Sequence, residues 1–82
     1  MNRMQIVEAL FELIHKELKV PMETIHRESN LMEDLGASSL DIMTLLPKIE
    51  ETFNMEFSVR SLRKMTTIDD IVEYIAQQSK TV

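Results

Sequence analysis

A single glycine, Gly36, and two prolines, Pro21 and Pro47, interrupt this 82-residue chain, which leaves little with which to close hairpin turns. Aromatic side chains, favoured on the pleated faces of sheets, make up only 5%. An all-α fold is therefore expected. The length permits one domain, 1–82, and a hydrophobic content of 44% is enough for one modest core.

Helical spacing is clearest over residues 3 to 18, where Met4, Val7, Leu10, Phe11, Ile14 and Leu18 recur at the helical period. Asn2 and Gln5 fit a cap and its reciprocal partner. Val20 and Pro21 end the segment, because proline drives its predecessor towards extended geometry. From there to Ala37 the period is lost, yet Ile25, Leu31 and Leu35 are spaced as anchors that would pin a long loop to a core. The period resumes at Ser38 through Ile42, Leu45, Leu46, Ile49 and Phe53, giving a second long helix over roughly 38–52, with Asp41 placed for a capping box. Ser58 is positioned to cap a short helix holding Val59, Leu62 and Met65. Thr67 with Asp70 caps a last helix whose apolar face is Ile68, Ile71, Val72 and Ile75.

Several kinds of chemistry have no support in the residues. Without cysteine there is no thiolate nucleophile and no thiolate metal site, and the cytoplasm is the default compartment. His15 and His26 have no further ligand at metal-binding spacing. Glu33 and Asp34 lack the alternating oxygen donors of a calcium loop. One glycine cannot build a phosphate-cradling loop. A net charge of −5 disfavours nucleic acid and anionic membrane and leaves protein as the expected partner. No apolar run approaches the ~20 residues of a membrane-spanning helix, and no targeting segment is visible.

The junction Asp34-Leu35-Gly36-Ala37-Ser38-Ser39-Leu40-Asp41 remains. One serine can cap the helix, while the next stands in its first turn, where unpaired backbone N–H groups and the positive dipole end favour a bound or attached phosphate. On spacing alone, the reading that Ser38 and Ser39 form a redundant cap is the favoured one.

This run resembles the Asp-Leu-Gly-Ala-Asp-Ser-Leu-Asp signature of acyl carrier proteins. The similarity continues through Ile49-Glu50-Glu51-Thr52-Phe53, Met65-Thr66-Thr67-Ile68 and Ile71-Val72-Glu73-Tyr74-Ile75. The resemblance implies a small four-helix bundle, with three long helices, one short helix and a long loop between the first two. It further implies that Ser39 carries a covalent 4′-phosphopantetheine, installed from coenzyme A by a carrier protein synthase, a phosphopantetheinyl transferase. The chain would catalyse nothing and hold no metal of its own. It would act as a monomer that presents acyl thioesters to acyl-transferring and ketosynthase-type enzymes. Leu40, Met43, Leu46, Leu62 and Met65 fall where members line the groove for the arm or a short acyl chain. Helical spacing alone reads the same residues as ordinary core.

Docking on partners falls, by the same resemblance, to Leu40, Asp41, Glu50, Glu51, Arg60, Arg63 and Lys64. Here the chain departs from the family pattern. Ser38 stands where an Asp is usual, Thr44 and Lys48 interrupt the acidic stretch of the second helix, and Pro47 lies inside it. Residues 54–65 set Glu56 against Arg60, Arg63 and Lys64, a net +2, whereas residues 21–37 set Glu23, Glu28, Glu33 and Asp34 against Arg27, a net −3. These departures point to a specialised lipid, fatty acid or polyketide pathway. A peptidyl carrier and an unmodified helical interaction module are the rival readings.

Overall fold

Side-chain caps set the helix starts, and the order of elements follows from them. The computed structural model describes residues 2–79; the side chains of Val59, Leu62, Arg63 and Ser79 are outside that description. Helix α1 (Arg3–Leu18) leads through a short 3₁₀ turn (Met22–Thr24) and a long loop to α2 (Ser39–Phe53), the six-residue α3 (Val59–Lys64) and α4 (Ile68–Ser79). The fold is all-helical. Among the described residues the only extended pairing is an isolated antiparallel bridge between Asn30 and Thr67.

Asn2 Oδ1 accepts from the Gln5 amide at 2.8 Å and Gln5 Oε1 accepts from the Asn2 amide at 2.9 Å, so α1 opens on a complete capping box. The helix stops where Lys19 turns left-handed, at φ 58°, and the His15 ring donates from Nδ1 to the Val20 carbonyl at 2.5 Å. The buried stripe of α1 is Ile6, Leu10 and Ile14, and Met4 is 70% exposed. Of the expected face, Leu10 and Ile14 are buried and Val7, Phe11 and Leu18 pack partly buried against the core, so the correction is confined to Met4, while packing of α1 between α2 and α4 also buries Ile6.

Helix α4 buries Ile68, Ile71, Val72 and Ile75, the face its spacing predicts, against Leu45 and Ile49 of α2 and the α1 stripe in one core. Ile25, Leu31 and Leu35 of the long loop join this core as anchors. Each such side chain, fully buried, stabilises the fold by about 1.5–3 kcal/mol, so the connection over residues 19–38, without strands or long helices, still packs as structure.

Polar contacts fix where that loop lies. Leu31 N–H donates to the Thr66 carbonyl, Ile68 N–H to the Ser29 carbonyl and Asp69 N–H to the Arg27 carbonyl, at 3.3, 3.1 and 2.8 Å. The Arg27 guanidinium donates from Nε to Asp69 at 2.7 Å, and Arg3 donates from Nε to Glu73 at 2.8 Å. The loop is thereby clamped across the N-terminus of α4. From Leu31 the restraint passes on, since its carbonyl accepts from the Ala37 amide at 2.9 Å, one residue before the cap of α2. Compactness follows: the radius of gyration is 11.6 Å, close to the ~12 Å expected for a folded domain of this length.

Candidate functional site at the start of helix α2

Two adjacent serines have different roles here. Ser38 is the N-cap of α2: its Oγ accepts from the Asp41 amide at 3.2 Å, and Asp41 Oδ2 accepts from the Ser38 amide at 3.0 Å. Ser39 is the first residue of the helix and is exposed, and its hydroxyl has no hydrogen bond to any other described residue. Its own N–H and that of Leu40 belong to the first turn, which has no intrahelical acceptors. Ile42 N–H is already taken by the Ser38 carbonyl at 3.0 Å.

The approach to Ser39 is shaped by the loop end. Gly36 adopts φ +73°, the left-handed region that only glycine enters without strain. A Cβ there would meet nothing within 4 Å, so the glycine is required by backbone conformation while the space beside it stays open. Ala37 is buried and anchors the turn. Asp34 Oδ2 accepts from the Asn30 amide at 2.6 Å, and Asn30 Oδ1 accepts from the amides of Met32 and Glu33, both at 2.9 Å. The acidic side chain before Gly36 therefore organises its own turn.

Around Ser39 the expected groove residues divide. Leu40 is 73% exposed and Met43 58% exposed, one turn apart on the outer side of α2, whereas Leu46 is buried in the core and Met65 is half-buried against it. Leu62 falls among the side chains outside the description, as does Arg63. The expected docking residues divide as well. Asp41 is held in the capping box, and Glu50 Oε2 accepts from the Phe57 amide at 2.9 Å, which ties the connection before α3 to α2. Glu51, Arg60 and Lys64 are exposed. Sequence reading missed the Glu50 tie, because its partner lies seven residues on and beyond the helix end. His15 bonds the Val20 carbonyl just past α1 and His26 is exposed, and no cluster of three or more metal-ligating side chains occurs among the described residues.

Residues 8–75 match the family model for the phosphopantetheine attachment site. The chain belongs to the acyl carrier protein family. It is 36% identical over 78 residues to an acyl carrier protein of Syntrophus aciditrophicus, covering 95% of this chain and 98% of that protein. An acyl carrier protein of Wolinella succinogenes is 39% identical over 72 residues, covering 88% and 95% of the two chains. One from Phytoplasma mali reaches 42% over 72 residues, covering 88% and 86%. Membership of this family implies a covalently attached 4′-phosphopantetheine.

The residues of this carrier fit such a group. A phosphodiester needs an accessible hydroxyl, nearby donors for its negative charge and open space for the arm. The α2 start offers the exposed Ser39 hydroxyl, the first-turn amides of Ser39 and Leu40, and the open side of Gly36. When bound, the arm supplies the terminal thiol that a chain without cysteine lacks. No helix among the described residues is long and apolar enough to cross a membrane.

Proposed function

We propose that residues 1–82 form a single acyl-carrier domain of the four-helix type, in which Ser39 bears the 4′-phosphopantetheine arm. The carrying observation is the division between the serines: Ser38 is committed through its cap to the Asp41 amide, and Ser39 is left exposed. In the loading reaction a phosphopantetheinyl transferase removes the proton from Ser39 Oγ. This oxygen forms the phosphodiester bond, and the nucleotide half of coenzyme A leaves. The first-turn amides and the dipole of α2 favour the phosphate charge that results. Leu40 and Met43 supply apolar surface beside the arm, and Leu46 and Met65 form the inner wall against the core.

On this reading the chain is a carrier rather than a catalyst. It is a monomer of the cytoplasm, presenting acyl thioesters to acyl-transferring and ketosynthase-type enzymes of a specialised lipid, fatty acid or polyketide pathway. Incubation with coenzyme A and a broad-specificity phosphopantetheinyl transferase should add the mass of one arm to the wild type and to Ser38→Ala, and none to Ser39→Ala. An arm on Ser39→Ala would overturn the assignment. No arm on the wild type would favour an unmodified interaction module.

A further inference from the structure

Two acidic elements meet at the seam between the long loop and α4. Residues 21–37 set Glu23, Glu28, Glu33 and Asp34 against Arg27, and α4 carries Asp69, Asp70 and Glu73 with no base. Like charges gathered this way repel unless a cation lies between them. That cation is Arg27. Its Nε donates to Asp69 Oδ1 at 2.7 Å, its Nη2 pairs with the same carboxylate, and Nη2 lies 3.7 Å from Glu73 Oε2. Arg3, at the start of α1, closes the row, its Nε and Nη2 donating to the two Glu73 oxygens at 2.8 and 2.5 Å. Asp69 and Glu73 stand one turn apart on α4, so two guanidiniums from distant parts of the chain lie across one acidic face.

An exposed ion pair by itself is worth little, because solvent screens it and two long side chains must be ordered. Position gives this one its effect. Beside it the Arg27 carbonyl accepts from the Asp69 amide at 2.8 Å, and the Ser29 carbonyl accepts from the Ile68 amide at 3.1 Å. These are first-turn amides of α4, which have no acceptor inside the helix. Next along, the Leu31 amide donates to the Thr66 carbonyl at 3.3 Å, and the Leu31 carbonyl accepts from the Ala37 amide at 2.9 Å. Ser38, the cap of α2, and then Ser39 follow. Arg27 thus stands at the outer end of a strut of backbone bonds whose inner end is the turn that presents Ser39. Ile25, Ser29 and Leu31 are buried along this strut, so its core side is packed while Arg27 neutralises its charged side.

We infer that Arg27 is a positioning residue for arm loading: as the cation between the acidic loop and the acidic start of α4, it holds the strut closed and keeps the Ser39 turn in the form a transferase binds. This rests on the assignment of the arm to Ser39. Without the guanidinium the loop segment holds four acids and α4 three, with no base in either, and open forms of the strut gain population. A carrier recognised only in the closed form then binds with an apparent affinity reduced by the closed fraction, while the chemistry of the bound serine is unchanged.

The test measures KM and kcat for arm addition to the full-length apo protein by a broad-specificity phosphopantetheinyl transferase with coenzyme A. Arm addition is read by mass spectrometry at low salt and at a temperature where circular dichroism shows every variant folded. Arg27→Ala should raise KM for the carrier roughly threefold and leave kcat unchanged. Arg27→Lys keeps the charge without the fork that spans two carboxylates and should recover part of the loss. Arg27→Ala/Asp69→Asn should be no worse than Arg27→Ala alone, since both substitutions act through one contact. At about 1 M salt, where the screening length is ~3 Å, the ratio of variant to wild-type KM should fall towards unity. Amide exchange at Leu31 and Ala37 should quicken about tenfold in Arg27→Ala, with the Leu10 amide unchanged. Ile14→Val trims the core away from the seam, so it should lower Tm yet leave KM at the wild-type value, as a merely structural Arg27 would also do. Arg27→Gln carries the test if Arg27→Ala does not fold. An unchanged KM in Arg27→Ala, an equal rise in Ile14→Val, or a rise without faster exchange at Leu31 and Ala37 overturns the inference while leaving Ser39 in place. An arm on Ser39→Ala overturns the attachment reading instead.

Discussion

Removing the Asp70 carboxylate should loosen the whole approach to Ser39, although Asp70 lies on a different helix. Asp70 Oδ2 accepts from the Thr67 amide at 3.2 Å, the Thr66 amide at 3.1 Å and the Thr66 hydroxyl at 3.3 Å, and Thr67 Oγ1 accepts from the Asp70 amide at 3.2 Å. Asp70→Ala deletes three of these four bonds together with a negative charge in the first turn of α4. Loss of such a cap costs about 0.5–2 kcal/mol. The charge beside the helix N-terminus adds about 0.3–1 kcal/mol, at the low end here because the group is exposed and screened. A total of about 1.5 kcal/mol lowers Tm by roughly 6–12 °C in a domain of this size. Asp70→Asn keeps an oxygen acceptor without the charge and should fall between the two.

The same residue gives the effect a pH signature. Hydrogen bonds from the backbone of Thr67 first, and then of Thr66, hold the Asp70 carboxyl below its ordinary pKa. A carboxyl lowered on folding contributes stability that is fully present above its unfolded pKa of about 3.9 and is lost as pH falls through the folded value. The gap in Tm between wild type and Asp70→Ala should therefore hold at neutral pH and close in acid. Because Thr66 supplies the carbonyl that holds Leu31, amide exchange at Leu31 and Ala37 should quicken in Asp70→Ala, with the Leu10 amide in α1 changing least. Equal melting of the two proteins at pH 7, or a gap that widens in acid, would refute this account.

Leu40→Ala should leave stability within about ±0.5 kcal/mol, as expected for an exposed site, and slow arm loading, whereas Leu46→Ala should cost about 2–5 kcal/mol; thermal melts and loading rates on both separate surface from core. Gly36→Ala should cost roughly 1–2 kcal/mol through its left-handed backbone and not through a clash, and a neutral result by denaturant titration would mean the turn has relaxed. Pro47→Ala restores an N–H to the Met43 carbonyl and should stabilise the apo protein by up to about 3 kcal/mol. Unchanged acyl-induced NMR shifts and equal thioester hydrolysis rates in that variant would show that Pro47 does not shape cargo fit.

What the sequence reveals and what it hides divide by range. Helix starts are legible because their chemistry is local: Asn2 with Gln5, Ser38 with Asp41, Ser58 with the Ser61 amide and Thr67 with Asp70 each act across three residues. Helix stops are less so, since Lys19 and Asn54 take the left-handed conformations that glycine usually marks. The face of α1 is ambiguous for another reason. Its apolar residues spread around much of the helix, and contact with α2 and α4 is what buries Ile6 and exposes Met4.

The same contrast runs through the site. Which serine is free follows from a local cap, so it can be read from Ser-Ser-Leu-Asp. Which charges face a partner does not, because it depends on where α3 is laid and on which acids are already bonded. Glu50 reads as a surface acid and holds the Phe57 amide; Arg27 reads as a lone base in an acidic loop and pairs with Asp69, 42 residues away. A carrier can thus keep its attachment run nearly unchanged while its recognition surface is rewritten, because the two are specified at different separations along the chain. Residues 39–64 set Asp41, Glu50, Glu51 and Glu56 against Lys48, Arg60, Arg63 and Lys64 and so carry no net charge, while the turn that presents Ser39 keeps its local cap between Ser38 and Asp41.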